Sequence, residues 1–133
     1  MKDTNHKIVS PLKHKNTFIH AAGGIGYAFR SEANFRIHVL AMALVVALGV
    51  VLHISAMEWL FVAGCSMLVL SMELINTAIE NVCDLISTEY NPLIKIIKDV
   101  AAAAVLVSAA GSIVTGSIIF FPKIIHQIKY LLC

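Results

Sequence analysis

The sequence predicts an all-α membrane protein: one domain with an N-terminal amphipathic surface helix and three transmembrane helices. Three observations predict it. The chain has 133 residues, 59% of them hydrophobic and only 14% charged, against about 25% charged in a soluble domain. A chain so small and so apolar cannot cover a water-facing surface, which leaves lipid as its solvent. Three long apolar runs are separated by short segments of turn chemistry, and lysine and arginine are spread unevenly between the ends of those runs.

The elements follow in order. Residues 1–16 hold Lys2, Lys7, Lys13 and Lys15, with Pro11 among them, and read as a basic arm. They lack the apolar stretch and small-residue site of a cleaved signal peptide. In residues 17–31, Phe18, Ala22, Ile25 and Phe29 fall on one helical face, which predicts an interfacial amphipathic helix. Gly23, Gly24 and Gly26 interrupt it and lower its intrinsic helicity. Gly23-Gly24-Ile25-Gly26 does not make a phosphate loop, because no strand precedes it and no P-loop lysine follows. Residues 33–54 form the first span. Residues 57–86 form the second, with no proline and only Gly64 as glycine. Ser87 to Pro92 is turn chemistry, with Asn91-Pro92 marking a boundary. Residues 93–121 form the third span, which Pro122 is expected to end, leaving 122–133 as a tail. Ala101–Ala104 and Ala109-Ala110-Gly111 offer small-residue packing surfaces.

Charge sets the orientation. Lys2, Lys7, Lys13, Lys15, Arg30 and Arg36 precede or begin the first span. Lys95 and Lys98 follow the second, and only Lys123 and Lys129 lie beyond the third. Three spans place the first two groups on one side, which predicts a cytoplasmic arm and second loop. A formal charge of +2 gives no reason to expect nucleic acid as a partner. Cys65, Cys83 and Cys133 are odd in number and are expected to be free thiols. The histidines are too scattered to predict a metal site.

The second span carries the chemistry. It contains Glu73, Asn76, Thr77, Glu80 and Asp84. At about 100° per residue, Thr77, Glu80 and Asp84 return to within about 40° of Glu73. Asn76 sits at the edge of that face. Carboxylates in or near hydrocarbon are costly and point to function. Counting from Met57 at about 1.5 Å per residue, Glu73 lies some 24 Å in, Glu80 about 35 Å and Asp84 about 40 Å. Across a hydrocarbon layer about 30 Å thick, this puts the row at the cytoplasmic headgroups. Glu32 and Arg36 gather at the same level, as do Glu89, Asn91, Lys98 and Asp99. Glu32 and Glu80 could hold Mg²⁺ together with substrate phosphate, and a nearby lysine could neutralise phosphate charge. Taken singly, the plainer readings are strong. Glu89 and Asp99 could be solvated charges, Lys98 a headgroup anchor, Trp59 and Tyr90 belt residues, and Met67 and Met72 packing residues.

The run Glu73-Leu-Ile-Asn-Thr-Ala-Ile-Glu-Asn-Val-Cys-Asp84 resembles the signature of the prokaryotic diacylglycerol kinase family, which includes the bacterial undecaprenol kinases. So do Glu89-Tyr90, Lys98-Asp99-Val-Ala-Ala-Ala-Ala-Val and Glu32-Ala-Asn-Phe-Arg36. The resemblance spans roughly residues 15–121. It implies a homotrimer in the bacterial inner membrane, with the active site shared between neighbouring subunits. It also implies ATP- and Mg²⁺-dependent phosphorylation of a lipid alcohol. By motif position it implies Glu73 as general base and Glu32 and Glu80 as metal ligands. Lys98 and Asp99 would meet ATP, with Glu89, Tyr90 and Asn91 nearby. Lys13 and His20 stand where the family makes further nucleotide contacts, although His20 replaces an aromatic. Asn76 would help position the reacting groups, Asp84 would support the site, and Arg36 belongs to the matched motif. Phe35-Arg36-Ile37-His38, Glu58-Trp59-Leu60 and Asn91-Pro92-Leu93 look more like the undecaprenol kinase branch than the diacylglycerol branch.

Two other classes compete. A small oligomeric proton-coupled transporter would use Glu73 as its proton site, but a transport path would distribute its polar groups through the membrane depth. An assembly subunit would need no row of carboxylates.

Overall fold

The computed structural model describes residues 14–132; most of the basic arm, Lys13 included, and Cys133 lie outside them. The described chain is four helices: α1 (His14–Ser31), α2 (Ala33–Val51), α3 (Ala56–Ile86) and α4 (Pro92–Leu132). The last three are each long and apolar enough to cross a membrane. Their outward surfaces are apolar, with Leu44, Met67, Leu106 and Ile118 each more than 60% exposed. Such a surface is stable against lipid and not against water.

Each turn follows from its local chemistry. Between α1 and α2 a single residue, Glu32, is extended, with φ −101° and ψ 119°. Arg36 reaches back from α2 and donates through Nη1 to the carbonyls of Phe29 (3.1 Å) and Arg30 (3.0 Å). It thereby satisfies acceptors that the end of α1 leaves open. α2 closes in a Schellman motif: Ile54 N–H donates to the Gly49 carbonyl and His53 N–H to that of Val50. His53 takes the left-handed conformation, φ 48°, that this closure requires. Ser55 and Glu58 form a reciprocal capping box at the start of α3. At the start of α4, Asn91 Oδ1 accepts from Leu93 N–H (2.9 Å), and Pro92 occupies a first-turn position where its missing N–H costs nothing.

α3 is the central element and packs most extensively against α4, then α2, with α1 laid across both α2 and α3. Two ion pairs fix α3 and α4 as antiparallel neighbours. Lys98 binds Asp84 at one end, and Lys123 Nζ lies 3.3 Å from Glu58 Oε2 at the other. Near the second end, Ile54, Val62, Ile119 and Phe120 form a buried cluster against Trp59, Leu48 and Val45. At the first end the buried residues are Ala28, Phe35, Cys83, Ala101 and Val105. These are mostly small, so the helices approach closely there.

Two expectations about helix ends are corrected. Pro122 does not end the third span; α4 runs through it to Leu132. Proline removes one helical N–H donor, but its fixed φ suits a helix, and membrane helices accommodate the freed carbonyl. The residues beyond it have reasons to stay helical: Lys123 pairs with Glu58, and Ile124 lines a groove against α2 and α3. The first span also stops earlier than expected, at Val51, because Leu52, His53 and Ile54 make the closing turn.

Candidate active site

Three polar residues of α3 are buried in an otherwise apolar helix: Glu73 (2% exposed), Asn76 (6%) and Thr77 (5%). Their spacing places them on one face. That face turns inward because its opposite side, with Leu68, Ile75 and Val82, is the exposed one. The ionisable neighbours acting on the Glu73 carboxyl are His38, Glu80 and Glu32. Glu32 comes from the α1–α2 junction and His38 from the second turn of α2. The structure therefore brings together, around one buried carboxyl, two of the acidic residues singled out in the sequence.

Asn76 Nδ2 donates to the carboxylate Oε1 of Glu80, one turn further along α3 (2.9 Å). The Asn76 amide oxygen and the Thr77 hydroxyl are buried without a hydrogen-bond partner among the described residues. Such groups are costly to leave unmade and mark places where a ligand completes the structure. Further along the face, Asn81 Nδ2 donates to the Thr77 carbonyl (2.7 Å). Tyr27 of α1 donates its hydroxyl to Asn81 Oδ1 (3.0 Å), so α1 is tied to α3 beside the buried row.

The remaining expected site residues are placed as follows. Lys98 reaches Asp84, which sets its ammonium at the end of the row. Asp99 is bound to Lys95 one turn earlier on α4 and is more than half exposed. Glu89, Tyr90 and Asn91 lie in the α3–α4 loop, with Tyr90 80% exposed and the Asn91 side chain engaged in capping α4. His20 is exposed on α1. Arg36 is held by backbone carbonyls at the end of α1, where it fixes the junction that carries Glu32. His38, Tyr27 and Asn81 join the site without having been singled out. Only the pairing of helices could reveal them, although a histidine within a charge-free run was a visible signal.

Among the described residues no group of three or more His, Cys, Asp or Glu side chains is set to ligate a metal. Mg²⁺ needs no such group, since it takes one or two carboxylates and completes its shell with water and phosphate oxygens. Glu32 and Glu80 are two half-buried carboxylates beside Glu73, and the unpartnered Asn76 oxygen adds a hard donor next to them.

Beneath the polar row, α2 and α4 stand apart over α3 and leave an apolar groove of about 550 Å³. His38 lines it, as do Val69, Leu70, Ser112, Phe120 and Phe121. Gly49 of α2 faces Trp59 of α3. Eleven residues back from Gly49 is His38, and eleven onward from Trp59 is Leu70 (49 − 38 = 70 − 59). The groove thus begins within one helical turn of Glu73 and runs toward the opposite end of the bundle.

Residues 19–120 match the family described as prokaryotic diacylglycerol kinase. The chain is 41% identical over 108 residues to an undecaprenol kinase of Bacillus subtilis, covering 81% of this chain and 88% of that one. It is 38% identical over 110 residues to a diacylglycerol kinase of Synechocystis, covering 82% of this chain and 63% of that one. It is 35% identical over 107 residues to a diacylglycerol kinase of Escherichia coli K12, covering 77% and 88%.

Proposed function

The chain belongs to the prokaryotic diacylglycerol kinase family, and on that premise we propose that it transfers the γ-phosphate of ATP to the hydroxyl of a membrane lipid alcohol, undecaprenol in preference to diacylglycerol. The observation that carries this reading is the buried Glu73, set with Asn76 and Thr77 in an apolar helix and faced by Glu32 and Glu80. A carboxyl in that position is within reach of a hydroxyl presented from the lipid and of phosphate presented from water.

In this mechanism Glu73 accepts the proton of the lipid hydroxyl as its oxygen bonds to phosphorus. Asn76 holds Glu80 in place. Mg²⁺, when bound by Glu32 and Glu80, neutralises phosphate charge. Lys98, ordered by Asp84, adds a further cation for phosphate, and Asp99, Glu89, Tyr90, Asn91, His20 and Lys13 contribute nucleotide contacts. Catalysis of this kind is mainly positioning and charge neutralisation, which needs no nucleotide-binding fold. The site lies on the cytoplasmic face of the bacterial inner membrane, α1 rests on that surface, and three copies make the working enzyme. The apolar groove starting at His38 gives the lipid tail a path away from the reacting hydroxyl. Undecaprenol is favoured because Phe35–His38 and Asn91–Leu93 resemble that branch, and because the Bacillus relative that carries its name is 41% identical. The clustering of polar groups at one end of the bundle supports a surface reaction and offers nothing to a transporter.

The test uses purified protein in mixed micelles with Mg²⁺ and ATP labelled in the γ-phosphate, and undecaprenol and diacylglycerol presented side by side. Label is expected on both lipids, faster on undecaprenol. Faster transfer to diacylglycerol reverses the preference, and transfer to neither by folded protein overturns the kinase reading.

A further inference from the structure

Hydroxyl groups inside helices ordinarily satisfy themselves by bonding back to a carbonyl one turn earlier. In α4 this is what happens. Ser112 donates to Ser108, Thr115 to Gly111 and Ser117 to Ile113, each to the carbonyl four residues before, and Ser108 donates to that of Val105. Thr77 of α3 departs from this. It is 5% exposed, and its Oγ1 makes no hydrogen bond among the described residues, not even to the Glu73 carbonyl. Asn81 binds the Thr77 carbonyl and not its hydroxyl. A free buried hydroxyl costs stability, so its retention one turn from Glu73 calls for a ligand.

We propose that the Thr77 hydroxyl is a substrate-positioning group that hydrogen-bonds the acceptor oxygen of the lipid alcohol and orients it between Glu73 and the phosphate. This rests on the kinase reading and adds to it a residue for the acceptor. The acceptor oxygen has one proton and two lone pairs. Its O–H donates to the Glu73 carboxylate, one lone pair accepts from Thr77 Oγ–H, and the second is left to attack phosphorus. As the new O–P bond forms, the O–H bond breaks and its proton passes to Glu73. The bond between the γ-phosphorus and its bridging oxygen breaks, and that electron pair leaves on ADP. Thr77 is unchanged by the reaction. The residue acts on a primary hydroxyl as such, so it serves polyprenol and diacylglycerol equally and does not set the preference between them. The neighbouring unpartnered oxygen of Asn76 cannot substitute for Thr77, because an amide oxygen accepts and does not donate.

Thr77→Val replaces the hydroxyl with a methyl group of nearly the same shape, and Thr77→Ser keeps the hydroxyl. Labelled phosphate transfer to either lipid is measured for the wild type and both variants, with KM for MgATP and KM for lipid separated and thermal unfolding recorded. The expected result for Thr77→Val is a loss of about tenfold or more in kcat/KM for the lipid, the scale of one lost hydrogen bond in a preorganised site. Its KM for MgATP is unchanged, and its thermal stability is equal or higher, because no bonded partner has been orphaned. Thr77→Ser is expected to stay within about threefold of the wild type. Wild-type transfer by Thr77→Val overturns the proposal. So does a fall in thermal stability or loss of the oligomer in Thr77→Val, which would assign the hydroxyl a partner in a neighbouring copy. Absence of transfer by the wild type itself overturns the kinase reading, and this proposal with it.

Discussion

At the scale of single residues, the site was readable along one helix and unreadable across helices. Helical spacing alone placed Glu73, Thr77, Glu80 and Asp84 on a common face of α3; the structure buries or half-buries the first three and leaves Asp84 exposed, paired with Lys98. His38, Tyr27 and Asn81 could not be found this way. They join the row only through packing between helices, and no local period encodes a contact between residues 27 and 81. Asp99 and Asn91 carry motif positions and also have partners within the chain, Asp99 in Lys95 and Asn91 in the backbone at the start of α4. The Asn76–Glu80 hydrogen bond leads to a prediction about the metal. Glu80→Gln removes one of two candidate carboxylates for Mg²⁺ while keeping the shape of the side chain. Titration of Mg²⁺ at fixed ATP is expected to show a several-fold higher midpoint in the variant, and an unchanged midpoint would remove Glu80 from the metal site.

At the scale of elements, the four helices were legible because each rule that makes them is local. Apolar length gave the spans and Asn91-Pro92 gave the start of α4, while the Ser55–Glu58 capping box that starts α3 emerged only in the structure. The end of α4 was misread because proline was treated as a stop. A proline stops a helix only when nothing downstream favours continuing, and here Lys123 and Ile124 are anchored to α3. The α2–α3 corner is closely packed around Gly49. A Cβ on Gly49 would lie 2.9 Å from Trp59 Cη2 and 3.0 Å from Ile54 Cδ1, inside the closing Schellman turn. Overpacking at such a site costs about 1–3 kcal/mol. Gly49→Ala is therefore expected to lower the thermal unfolding temperature in detergent. Gly24→Ala, at an exposed position of α1 with open space around it, is expected to leave the temperature unchanged or raise it. Equal behaviour of the two variants would mean that the corner is looser than described.

At the scale of the whole molecule, the exposed face of α3 is patterned. Leu68, Ile75 and Val82 repeat every seven residues, and Gly64, Ser71 and Ala78 repeat beside them, all exposed. Large and small residues at that spacing suit close helix–helix contact in lipid. This supports assembly of several copies around α3, and the family resemblance sets the number expected at three. The pattern was visible in the sequence, but its meaning was not, because the same positions could equally have faced α2 or α4. Protein mass in detergent, measured by light scattering with the detergent contribution subtracted, is expected to equal three chains. Ala78→Trp on the exposed face is expected to reduce it, and a single-chain mass for the active wild type would refute the shared assembly. The uneven count of lysines and arginines predicts that the polar row faces the cytoplasm.

The central claim is that a buried carboxylate on α3 receives the proton of a lipid hydroxyl during phosphoryl transfer. The measurement that tests it most directly is labelled γ-phosphate transfer to lipid by the wild type and by Glu73→Gln, each shown to be folded and equally assembled. A general base contributes about 10²–10⁴-fold, so the account predicts rapid transfer by the wild type and a loss of at least about 100-fold in kcat for Glu73→Gln. A Glu73→Gln protein that phosphorylates lipid at near the wild-type rate would contradict it.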